Sequence, residues 1–146
     1  MTAARPSKAP LYAKLGVKAG LTVWVSGAPA GYRRELSKGG RLRVTARRAR
    51  ELDFMHFFAR TRASLVREMP KLRASMKPDA ALWISWRKRS SGAATDLDDG
   101  VVRAVGNAAG LVDVKICAVD GVWSALKLVI RLRDRRPPLG SATRRR

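Results

Sequence analysis

Ala81-Leu-Trp-Ile-Ser-Trp-Arg-Lys-Arg-Ser-Ser-Gly-Ala-Ala-Thr-Asp-Leu97 decides the fold class of this chain. Its apolar opening predicts a buried strand over Ala80–Trp86. Arg87-Lys-Arg-Ser-Ser-Gly92 is a cationic loop, and Thr95-Asp-Leu-Asp98 has the spacing of a helix capping box, with Asp in the usual Glu place. A strand that passes through a short loop into a helix is the repeating unit of α/β folds. In open α/β sheets the crevice beyond the strands' carboxyl ends is where ligands usually sit.

Working outward, Leu21-Thr-Val-Trp-Val-Ser26 predicts a first buried strand, followed by a Gly27-Ala-Pro29 turn and a short helix over 31–36. Arg41-Leu-Arg-Val-Thr-Ala46 alternates charged and apolar residues as an edge strand does. Asp53–Phe58 is expected to be a central strand, and His56 lies within it. A helix is expected over Arg60–Met76, with Leu65, Met69, Leu72 and Met76 on one face and Pro70 removing one backbone donor. Lys77-Pro-Asp79 reads as the turn out. Leu97, Val101, Val105 and Ala108 suggest the core face of a further helix, which Gly110 is placed to end. Leu111–Val119 and Ser124–Arg133 complete an antiparallel pair around Asp120-Gly121, a favoured hairpin turn. The pattern is α/β: a three-layer sandwich with a mainly parallel sheet and a C-terminal antiparallel hairpin. Residues 1–13 are expected to form a flexible arm, 14–134 one domain, and 135–146 a disordered basic tail.

The chain has 146 residues, 46% of them hydrophobic, enough for one domain with a real core. No apolar run approaches the roughly 18–20 residues of a membrane span, and residues 1–10 lack the apolar region of a secretory signal. A single cysteine, Cys117, excludes an internal disulfide. A cytoplasmic protein without membrane association is expected. Net charge is +20, of which residues 1–89 contribute +16. Such asymmetry fits nucleic acid or another polyanion, because cations on phosphates release counterions, and it fits equally a high-arginine composition with solvated charges. Arg41, Arg43, Arg47, Arg48, Arg87 and Arg89 are the candidate polyanion contacts.

Several pieces carry a family resemblance: Lys14-Leu-Gly-Val-Lys18, Ala28-Pro29 after the first strand, Trp83-Ile-Ser-Trp-Arg-Lys88, Ser91-Gly92 with Thr95-Asp-Leu97, and Gly110-Leu-Val-Asp-Val-Lys-Ile-Cys-Ala-Val-Asp120 with Trp123-Ser124. In order and spacing the chain resembles the actinobacterial proteins grouped as the domain of unknown function DUF3052, over roughly residues 10–133. The resemblance implies a Rossmann-like sheet, a reduced form of the S-adenosylmethionine-dependent methyltransferase fold, and little chemistry.

A cofactor-binding turn of that kind needs glycines that let the backbone approach the ligand, and an acid after the second strand for the ribose hydroxyls. Here the turn is Ser26-Gly-Ala-Pro29 and the second strand runs into Ala46-Arg-Arg48. Methyl transfer is therefore the weakest of three readings. A non-enzymatic ligand- or partner-binding domain stands first and a polyanion-binding protein second. No catalytic residue, cofactor or metal site is expected. His56, the single histidine, reads as a core residue, since no sequence feature pairs it with Ser85, Ser90 or Cys117. Cys117 reads as a small buried apolar residue. Asp96, Asp98 and Asp99 read as favourable charge at a helix N-terminus. The candidate ligand contacts are Ser26 and Gly27 of the first turn, Lys88, Ser90 and Ser91 of the basic loop, and Trp86 and Trp123 as stacking surfaces.

Overall fold

A computed structural model describes residues 9–47, 51–92 and 94–135 of the chain. Among the described residues six strands form one sheet in the order β2-β1-β3-β4-β6-β5. They are β1 (Thr22–Ser26), β2 (Arg43–Thr45), β3 (Leu52–Phe58), β4 (Met76–Arg87), β5 (Leu111–Ala118) and β6 (Trp123–Ile130). β1 runs parallel to β2 and β3, and β3 parallel to β4, while β6 is antiparallel to both β4 and β5. Helices α1 (Leu11–Leu15) and α2 (Tyr32–Ser37) cover one face, and α3 (Arg62–Ala74) and α4 (Asp99–Ala108) cover the other. The chain is the three-layer, mainly parallel α/β sandwich with a terminal antiparallel pair that its alternating pattern implies.

Each face of the sheet has its own core. Alternation along the strands sends Leu82, Ile84 and Trp86 of β4 to the α3/α4 side, where Leu65, Met69, Leu72 and Val102 meet them. Trp83 and Ser85 point to the α1/α2 side, where Trp83 joins Leu15, Tyr32, Leu36, Phe54 and Phe58.

Several local expectations are corrected. Part of the anticipated N-terminal arm is α1, which follows Pro10 and is closed by Gly16 in the left-handed conformation, with Leu15 buried beneath it. Residues 1–8 of that arm lie outside the described residues, as do 136–146 of the tail; Arg135 is described, and its Nε donates to the Ile130 carbonyl. α3 begins after Thr61, whose hydroxyl accepts the Ser64 N–H, and ends before Met76. β4 starts at Met76, so Lys77-Pro-Asp79 is not a turn. It is an irregular stretch of strand where pairing slips between Leu52↔Met76 and Phe54↔Ala81, a place that tolerates the missing proline donor. The α4 cap is Asp98, which accepts the Val101 N–H at 2.8 Å. Thr95 instead accepts the Leu97 N–H, and Leu97 is a core residue before the helix. β6 stops at Ile130, and Leu132–Asp134 form a 3₁₀ turn.

Candidate functional site

β1 leads out to β2 on one side, whereas β3 leads to β4 on the other, so the switch point lies between the carboxyl ends of β1 and β3. That is where open α/β sheets bind ligands. Here the turn after β1 passes close to the end of β3. Gly27 follows β1 with φ +77°, and a Cβ on it would stand 3.1 Å from the Phe58 carbonyl oxygen. The glycine thus lets the first turn lie against the end of β3, with Ser26 half-buried beside it. Gly27→Ala should cost about 1–3 kcal/mol through left-handed backbone strain and this contact. Denaturant melts would show it; an unchanged midpoint would mean the turn is free to move.

The cationic loop after β4 borders a cleft of about 400 Å³ lined by Trp86, Arg89, Ser90, Asp98 and Ser124 among others. Its polar groups largely serve the fold. Lys88 Nζ donates to the Asp120 carbonyl at 2.8 Å, Ser91 Oγ donates to the Lys88 carbonyl, and Arg89 lies 3.4 Å from Asp98. Ser90 is exposed at the rim. Trp86 and Trp123, expected to stack one ligand together, do not share a face: Trp86 pairs with Ser124 and Arg87 with Trp123 across the β4–β6 ladder. Trp86 is 5% exposed in the α3/α4-side core, and Trp123 is 4% exposed against Phe58 on the other side. The guanidiniums of Arg60 and Arg87 lie 5.6 and 5.5 Å from the centre of the Trp123 ring, a cation–π arrangement.

The candidate polyanion arginines are likewise separated. Arg41, Arg43 and Arg47 flank the β2 edge, while Arg87 and Arg89 stand at the end of β4, across β1 and β3. Arg48 lies outside the described residues.

His56 is more connected than its sequence neighbourhood indicates. Its Nε2 is 2.6 Å from Ser85 Oγ and its Nδ1 2.6 Å from Tyr32 Oη, which corrects the expectation that nothing pairs with it. All three are buried: His56 and Ser85 are 0% exposed and Tyr32 3%. Burial lowers the His56 pKa to about 3 and pushes the Tyr32 hydroxyl well above its usual range. The ring is therefore neutral, donating through one nitrogen and accepting through the other. Phe58 stacks on it at 4.1 Å. A Ser-His pair sealed from solvent cannot reach a substrate, so this is a structural network. Cys117 is buried in the same layer, which raises its pKa against the opposing pull of Lys14 and Lys115.

Of the three acids before α4, Asp98 caps that helix, and Asp99 lies 3.6 Å from Arg103 within its first turn. Asp96 serves a different helix, accepting the Arg62 N–H at the start of α3. Among the described residues no group of three or more His, Cys, Asp or Glu is placed to hold a metal ion, and no helix is long and apolar enough to cross a membrane.

Sequence reasoning missed a larger concavity. Between α3 and α4 lies a groove of about 710 Å³ with a mainly apolar lining, including Val66, Met69, Val101, Ala104, Val105 and Ala108. Val101, Val105 and Ala108 are the residues whose spacing suggested a core face. In the fold Val102 and Gly106 are the buried residues of α4; Val101 and Val105 are half-buried, packing against the same core while lining the groove, and Ala108 is exposed. Gly106 lets α4 lie close to β6: a Cβ on it would come within 2.8 Å of the Leu128 methyls, which would have to shift. Val66 and Pro70, exposed on α3, were the available signal.

No protein-family model and no curated protein matches this chain. Solved structures do resemble it. Mitomycin 7-O-methyltransferase MmcR superposes with a TM-score of 0.59 at 12% identity, over 80% of this chain and 50% of its own, so the chain spans half of that enzyme's length. The precorrin-6y C5,15-methyltransferase of Geobacter metallireducens gives 0.59 at 11% identity, covering 83% of this chain and 86% of its own. A SAM-dependent methyltransferase from Aquifex aeolicus gives 0.58 at 17% identity, covering 81% and 87%. At these identities the likeness is one of fold: the chain has a methyltransferase-like, Rossmann-type architecture. The segment after β2 does not fit the cofactor such folds imply, because β2 ends at Thr45 and Ala46-Arg47 beyond it offers no carboxylate for the ribose.

Proposed function

We propose that this protein is a non-enzymatic binding domain carried on a methyltransferase-like fold, with the groove between α3 and α4 as its binding face. One observation carries the reading: a concavity of about 710 Å³ with a mainly apolar lining lies on the helical face. Volumes of this size and linings of this kind are typical of binding sites. Membership of the DUF3052 group belongs to the same proposal, supported by the sequence pieces quoted above. Calorimetric titration with S-adenosylmethionine tests the non-enzymatic part. No heat of binding is expected at millimolar ligand; a saturating isotherm would overturn it.

A further inference from the structure

We propose that the β2 edge of the sheet binds the phosphodiester backbone of a nucleic-acid duplex, at a surface separate from the α3–α4 groove. Charge is not spread evenly over the fold. Residues 9–47, which build the β2–β1 end of the sheet, carry eight lysines and arginines against one acid, whereas residues 94–135, which build α4 and the β6–β5 end, carry six of each. A uniformly arginine-rich composition would load both ends alike. The single acid, Glu35, is 2.7 Å from Lys38. Lys18, Arg34, Arg41, Arg43 and Arg47 are exposed and make no ion pair among the described residues.

The edge strand arranges these cations. Among the described residues β2 is bonded to β1 on one side and to no strand on the other. The Gly20 N–H donates to the Arg41 carbonyl and the Arg43 N–H to the Leu21 carbonyl, so the paired backbone reaches back to Arg41. Arg41 and Arg43 therefore project to one face, about 6.6 Å apart, a spacing close to that of successive phosphates along a nucleic-acid strand. That face is the α3/α4 side, because Thr45, two residues on, stands beside Trp24 of that core. Arg34 and Lys38 are exposed on α2, on the other face of the sheet. Cations on both faces of one edge match the two phosphate rows that flank a duplex groove, whereas a flat lipid surface meets one face at a time. A single strand is disfavoured, because no Trp, Tyr or Phe is exposed among the described residues to stack its bases.

The test is fluorescence anisotropy of the full chain with a labelled twenty-base-pair duplex of arbitrary sequence, DNA and RNA in separate arms. Affinity for at least one duplex should fall about a hundredfold between 50 and 200 mM salt, the dependence of roughly four phosphate contacts. Arg41→Glu/Arg43→Glu should weaken binding at least about tenfold and flatten the salt dependence. Arg131→Glu/Arg133→Glu makes the same charge change after β6 and should alter affinity by less than about threefold. Arg41→Gln/Arg43→Gln removes the edge charge without reversing it and should fall between the two, each protein being checked for an unchanged melt. Absence of binding to either duplex at 50 mM salt, equal losses in the two glutamate variants, or binding unaltered by the β2 variants would overturn the proposal. So would tighter binding of a twenty-nucleotide single strand, or phosphatidylserine vesicles bound in place of the duplexes.

Discussion

Acidification from pH 6.5 towards 3 should remove about 5 kcal/mol of folding stability through His56 alone. The sign follows from where the proton binds. In the unfolded chain the imidazole titrates near 6.5; in the folded chain burial lowers its pKa to about 3. Above 6.5 both states hold a neutral ring and the group contributes no pH dependence. Between 6.5 and 3 the unfolded state takes up a proton that the native state refuses, so stability falls with pH by about 1.4 kcal/mol per unit. Tyr32 and Cys117, buried in the same layer, have raised pKa values and stay neutral throughout. Denaturant midpoints measured across this range should show the loss, with carboxylate titration adding to it at the acid end. His56→Gln keeps hydrogen-bonding groups near Ser85 and Tyr32 but cannot titrate. It should be less stable at neutral pH and should lose about one proton of linkage. An unchanged slope in that variant would mean that His56 is solvated in the native state.

Trp83→Ala should cost about 3–5 kcal/mol. Trp83 is buried in the α1/α2-side core, and its indole N–H donates to the Leu15 carbonyl at 3.2 Å. The ring joins a central strand to the last turn of α1. Truncation therefore removes core volume and also the anchor of a five-residue helix too short to persist alone. Trp83→Phe retains most of the packing and loses the hydrogen bond, so a smaller cost, including roughly 1 kcal/mol for that bond, is expected. Limited proteolysis should show faster cutting around Leu11–Gly16 in both variants. A Trp83→Ala protein with the parental midpoint and cleavage pattern would contradict this account of the core.

Much of the sheet was legible because its strands carry strong local patterns. Leu82-Trp-Ile-Ser-Trp86 is apolar enough to require burial on both faces, and Asp120-Gly121 marks the terminal antiparallel pair. α1 was not legible: five residues cannot display a period, and its support comes from Trp83, far along the chain. The Thr95 and Asp98 hydroxyl and carboxylate both offer plausible caps, and only the path of the backbone assigns α4 to Asp98. The candidate site was harder still. His56 and Ser85 are 29 residues apart and meet on neighbouring strands, while Trp86 and Trp123 are separated by the sheet they share. The groove depends on how α4 is rotated against α3. Val101 and Val105 pack against the core with one side and line the groove with the other, which periodicity does not distinguish from full burial.

The most direct test of the central claim is backbone NMR mapping of an isotopically labelled sample titrated with S-adenosylmethionine. The account predicts no cofactor-induced shifts. Saturable cofactor-induced shifts at Ser26, Gly27, Ala59 and Arg60 would contradict it.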